Sequence, residues 1–100
     1  MPLLFLCALA ACATTEPPEK EMAQARAALA QARPVVQQEG LNEYAQAHAK
    51  LERAERAMQQ RHYEHARLLA EEAEADARLA WATSENARVK RALDAERASR

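Results

Sequence analysis

The sequence predicts an all-α protein, a small antiparallel bundle of three helices at about 17–38, 42–60 and 62–98. Three observations carry that expectation. The chain has a single Gly, and no run of β-branched residues follows Val35-Val36, so strands have no support. Hydrophobic residues make up 49% of the chain but aromatics only 4%, because alanine dominates the apolar count; alanine favours helix and buries little area per residue. The apolar positions recur in alternating steps of three and four, which places them on one helix face. A chain of 100 residues suits one domain with a thin core.

The first helix starts near Pro17, a residue suited to a first helical turn, and Glu16, Glu19 and Glu21 lie where the helix dipole favours negative charge. Its seam is Met22, Ala25, Leu29, Ala32 and Val36. Pro34 interrupts this pattern, yet Val36 stays in phase and Gly40 is a natural C-cap. The expectation is therefore a helix kinked at Pro34 and continuing to about Gln38, rather than one broken at Arg33.

Asn42 is the candidate N-cap of the second helix, with Glu43 in its first turn. Tyr44, Ala47, Leu51, Ala54 and Met58 form the seam, flanked by Leu41 and His48. The polar stretch from Gln59 to His62 makes a short connection, and the third helix then meets no Pro or Gly before the C-terminus. Ala66, Ala70, Ala73, Ala77, Ala80, Ser84 and Ala87 give it a heptad stripe of small side chains that lets another helix approach closely, bordered by Leu69, Leu79 and Trp81.

Two helices joined by so short a turn pack as an antiparallel hairpin. The packing seam expected from this comprises Leu51, Met58, Tyr63, Ala66, Ala70, Ala73, Ala77 and Trp81, with Tyr63 near Met58 and Trp81 closing the far end against Tyr44 and Leu41. The third helix is the longer, so its end from about Ala87 overhangs. That end carries Arg88, Lys90, Arg91, Arg97 and Arg100 against Asp94 and Glu96, with Val89 and Leu93 four residues apart on one face. Arg88, Val89, Arg91, Leu93 and Arg97 are the candidate partner-binding residues. They suit an anionic envelope ligand, such as a peptidoglycan carboxylate or lipid phosphate, or a helix-on-helix contact.

Residues 1–11 read as a lipoprotein signal peptide, 12–18 as an acylated Cys and tether, and 19–100 as the helical domain. The apolar run from Leu3 to Ala10 is far short of the roughly twenty residues that cross hydrocarbon, and it ends in the lipobox Leu9-Ala10-Ala11 before Cys12. Signals normally open with Lys or Arg, and Met1-Pro2-Leu3 has neither, which points to a start codon further upstream. Cys7 falls in the segment to be removed and Cys12 would carry covalent lipid, so the mature body would hold no free thiol for a disulfide, a metal or redox chemistry. The several acyl chains of a mature lipoprotein hold it firmly where one chain would not. Ala13 follows the cysteine, where Asp commonly marks inner-membrane retention in Gram-negative bacteria. The expected location is thus the outer membrane, on its periplasmic face.

The segments Tyr44-Ala45, Ala54-Glu55-Arg56-Ala57, Tyr63 to Ala70 and Glu74 to Ala80, behind a lipobox and a Thr/Pro tether, resemble the short bacterial lipoproteins of domain-of-unknown-function family 4398. The resemblance covers nearly all of the body. It implies an Ala/Glu/Arg-rich helical envelope protein with no established activity, of a kind sometimes encoded near or fused to peptidoglycan-binding domains like that of outer-membrane protein A. Such a fused domain is absent from this chain. Members often have Pro after the Tyr-Ala pair and Gly-Asp before the second Tyr, where this chain has Gln46 and Arg61-His62, so both helix starts are less sharply defined. Residues 61–70 also look like the turn and second helix of a tetratricopeptide repeat. Arrays of that kind stack three or more repeats of about thirty-four residues, and one helical pair is present. The likeness implies hairpin packing through small residues and a groove that accepts a partner segment.

Reaction chemistry finds no support. His62 and His65, three apart, could bind Zn²⁺ or Ni²⁺ weakly with Glu55 or Glu72 in reach, but no second ligand set has the spacing. No His has Glu three residues earlier, as di-iron bundles require. One glycine builds no phosphate loop, Ser84 and Ser99 lack a triad context, and Glu71-Glu72 sit in a charged helix as a solvated face. A net charge of −1 and export argue against nucleic acid. The expectation is a non-enzymatic structural or adaptor lipoprotein with no cofactor beyond the lipid, bound to another envelope protein or to itself. The alternative is a cell-wall or metal-binding module that uses the basic end or the His62/His65 pair.

Overall fold

The computed structural model describes residues 16–100, which form three helices, α1 (Glu19–Ala32), α2 (Leu41–Gln59) and α3 (Tyr63–Ala98), with no strand among the described residues. The signal segment, the lipobox Leu9-Ala10-Ala11, Cys12 and the start of the tether lie outside the described residues.

Helix α1 begins after a buried Pro18, whose carbonyl accepts from Met22 N–H, and carries Glu19 and Glu21 in its first turn. It ends at Ala32. The kinked continuation to Gln38 does not form, because Pro34 has no N–H to donate and its ring crowds the preceding turn. Residues 33–35 instead turn, with Val35 and Val36 N–H both donating to the Ala32 carbonyl, and a single 3₁₀ turn follows at Gln38–Gly40. Val36 still packs against the core, reaching it from a turn.

Gly40 closes this connection and is the residue before α2; its φ is −105°, so it is not a left-handed C-cap. Leu41 is already helical, which puts Asn42 inside the first turn, and no side chain caps α2. At the other end of α2, His62 N–H donates to the Ala57 carbonyl and Arg61 N–H to that of Met58. This is a Schellman closure, with Arg61 at φ 61° in the left-handed position usually given to glycine.

Helix α3, about 54 Å long by its residue count, is the spine of the fold, and both shorter helices pack on it. Helix α2 runs antiparallel to α3: beyond the Schellman turn, Lys50 meets Asp76, and Gly40 meets Ala80 and Ser84. Helix α1 runs alongside α3 in the same direction, with Pro17 and Pro18 beside Tyr63 and Arg67, and Ala28 and Ala32 beside Ala77 and Trp81. Arg26 of α1 pairs with Glu55 of α2 at 3.6 Å. The core between them is largely alanine, namely Ala25, Ala32, Ala47, Ala54, Ala70, Ala73 and Ala77, with Met22, Leu29 and Leu69 as its larger members. Small side chains let backbones approach closely, so contact is made by proximity and not by bulk.

Candidate interaction site

On α3 the buried residues are Ala66, Leu69, Ala70, Ala73, Ala77, Ala80 and Ser84, one stripe in steps of three and four with Leu69 beside it. Leu51 and Met58 of α2 are partly buried against the core these residues form. Tyr63 is half-buried and lines a depression with Pro17, Pro18, Glu21 and Arg67, under the entry to α1.

Two bulky residues stand elsewhere than expected. Trp81 is exposed and lines a cleft of about 240 Å³ with Ala28, Gln31, Ala32, Ala77 and Arg78, on the α1 side of α3; it does not close the α2 hairpin. One residue past Ala80, its side chain is rotated by about 100° from that of the fully buried Ala80. Leu79 is 53% exposed for the same reason, two residues from the buried Ala77 and so nearly opposite it.

The far end of the hairpin is closed by backbone. Gln37 N–H donates to the Oγ of the fully buried Ser84 at 3.0 Å, and Gly40 lies against Ala80 and Ser84. Arg91 reaches back over this closure, its guanidinium hydrogen-bonded to the side chains of Gln37 and Glu39. Glu39's own backbone N–H, and after it Arg91, hold the Glu39 carboxyl below its ordinary pKa. The overhang therefore begins beyond Arg91 and not at Ala87.

This sorts the candidate partner-binding residues. Arg91 is occupied within the chain, and Arg88 is hydrogen-bonded to Glu85, which lowers the Glu85 pKa and raises that of Arg88. Arg97 and Lys90 are exposed and make no ion pair among the described residues. Val89 and Leu93 are about half exposed.

The acidic stretch of α3 is largely neutralised in place. Glu71 joins Glu64 in holding Arg67, whose pKa is raised first by its hydrogen bond to Glu64. Glu74 pairs with Arg78. Asp76 pairs with Lys50 of α2 at 2.8 Å, and that hydrogen bond raises the lysine pKa. The Lys50–Asp76 bridge, with both side chains about three-quarters covered, ties α2 to α3 and is the ion pair between these helices among the described residues. Sequence reading missed it, along with Gln37 and Glu39; only the lone glycine hinted that a backbone approaches closely near position 40.

His62 and His65 are exposed in the turn and first turn of α3, and among the described residues no group of three His, Cys, Asp or Glu stands close enough to hold a metal ion. Nor is any described helix long and apolar enough to cross a membrane. The arrangement offers helix faces and a charged end for contact with another surface. The family described as a domain of unknown function (DUF4398) matches residues 20–96. No curated protein and no solved structure gives a significant match.

Proposed function

This chain belongs to the DUF4398 family, whose description assigns no reaction, and from that premise we propose that it is an outer-membrane-anchored periplasmic lipoprotein whose helical body is a structural or adaptor module. The observation that carries the proposal is the lipobox Leu9-Ala10-Ala11-Cys12, which precedes Glu19, the first residue of α1, by only six intervening residues, from Ala13 to Pro18. Acylation of Cys12 would supply the membrane hold, and the short Pro-containing tether would keep the bundle close to the lipid surface. The body contributes exposed helix surface and no concentration of catalytic groups.

Labelled palmitate supplied to cells expressing the gene with its full native start tests the anchor. Label on the wild type and none on Cys12→Ser, with the wild type in the outer-membrane fraction, is the expected result. An unlabelled wild type would refute the localisation.

A cell-wall contact is the second reading, favoured by Lys90 and Arg97, which leave two cations unpaired on the exposed end of α3. Co-sedimentation with isolated peptidoglycan measures it: binding that is lost in Lys90→Glu/Arg97→Glu supports wall contact, and a wild type left in the supernatant sinks it.

A further inference from the structure

Helix α3 carries a second stripe on the face turned away from α1 and α2. Leu68, Ala75, Leu79, Ala82, Asn86, Val89 and Leu93 follow one another in steps of three, four or seven, and at 100° per residue they occupy an arc of about 80°, roughly opposite the buried alanines. Leu68, Leu79, Val89 and Leu93 are each 46–53% exposed. Four of the six large hydrophobics that the described residues expose thus fall on one line some 37 Å long by residue count.

In heptad terms Leu79, Asn86 and Leu93 take the a positions, and Leu68, Ala75, Ala82 and Val89 the d positions; Glu72 takes the a position between Leu68 and Ala75, so the uninterrupted seam runs from Ala75 to Leu93. Asn86 is the one polar residue of that seam, and Asn at an a position sets register and favours two strands, because in a parallel pair it meets its own copy and the two amides bond to each other. Within the seam from Ala75 to Leu93, charge agrees with that arrangement. Glu85 stands at g and Lys90 at the following e, so each would face the other across a parallel dimer. An antiparallel pairing centred on the seam from Ala75 to Leu93, with Leu79 against Val89, would place Asn86 against Ala82 and Glu85 near Glu85 of the second copy, leaving an amide unpaired and two like charges opposed. Among the described residues nothing competes for this face, since α1 and α2 occupy the opposite one.

We infer that the outward stripe of α3 binds the same stripe of a second copy of this chain, as a parallel two-stranded coiled coil with Asn86 paired to Asn86. The inference rests on the reading of the body as an interaction module and names the partner; it does not depend on lipid attachment.

The test uses the full chain in mild non-ionic detergent with Cys7 and Cys12 replaced by Ser. Sedimentation is expected to give twice the chain mass, and Leu79→Glu/Leu93→Glu to halve it with helicity by circular dichroism unchanged. Single cysteines give an independent measure on otherwise wild-type faces. Leu79→Cys and Leu93→Cys should each form a disulfide-linked dimer under mild oxidation, whereas Glu52→Cys on exposed α2 should not. Symmetric linkage at both 79 and 93 requires a parallel, in-register pair. A monomeric wild type, linkage no stronger at 79 and 93 than at 52, or linkage in cells from 79 to a protein of different mass would each overturn the proposal. Because palmitate labelling reads the anchor alone, failure of either test leaves the other interpretable.

Discussion

Gly40 lies so close to Ser84 that a Cβ placed on it would stand less than 3.0 Å from both the Ser84 Oγ and the Ala80 carbonyl oxygen. With φ at −105°, the glycine serves close approach and not backbone conformation. Gly40→Ala is expected to destabilise the fold by about 1–3 kcal/mol through overpacking against a carbonyl that cannot rotate away. Urea denaturation measures this; a variant as stable as wild type would mean the connection can move off α3 freely.

Ser84 is fully buried and accepts the Gln37 N–H, so Ser84→Ala leaves that donor without its partner. A loss of about 1–2 kcal/mol is expected. Combined with Gly40→Ala the two costs should be less than additive, because removing Oγ takes away one of the two obstructing atoms. Additive costs in the double-mutant cycle would show that the serine and the glycine act independently.

Arg61 holds the left-handed position of the α2–α3 turn. An L side chain there is disfavoured and glycine is not, so Arg61→Gly is expected to raise stability by about 1 kcal/mol. The side chain makes no ion pair among the described residues that would offset the gain. A fall in Tm would contradict the assignment of the turn.

Lys50 is one of three lysines in the chain, and its pKa is raised by the hydrogen bond to Asp76. A raised folded-state pKa contributes stability that is fully present below the unfolded value of about 10.4 and is lost as pH rises through the folded value. The Tm difference between wild type and Lys50→Met should hold steady from about pH 7 to about pH 10 and shrink above that. A difference that does not change across the alkaline range would remove the bridge from the stability of the α2–α3 contact.

Ala73 and Ala95 both lie on α3, one wholly buried and the other exposed and outside the outward seam. Ala73→Leu should cost about 1–3 kcal/mol by forcing α3 from its neighbours, whereas Ala95→Leu should stay within about 0.5 kcal/mol of wild type. Equal effects at the two positions would reduce the buried stripe to helix-favouring filler.

Much of the architecture was legible because its signals are local. Three- and four-residue spacing and a polar stretch before Tyr63 each act within a turn or two of chain, and they give three helices, the second and third within about a residue of their observed bounds and the first running about six residues too far. The same locality explains the error at Pro34. Val36 continues the helical phase in sequence, but whether the chain carries on as helix or turns and still delivers Val36 to the core depends on where α3 lies.

What the sequence by itself determined is the helical class, the hairpin about Arg61 and the small-residue stripe of α3 as a spacing, with the lipobox address as an expectation beside them. Tertiary structure decided which stripe is used within the chain. Alanines at 66, 70, 73, 77 and 80 admit two neighbouring backbones, and burying them turns Leu68, Leu79, Val89 and Leu93 outward. It also assigned Arg91 to Gln37 and Glu39, fifty-odd residues away, and left Arg97 unpaired. The physical reason is that periodicity specifies faces relative to one helix axis, whereas burial and pairing depend on which other helices come within contact distance of each face.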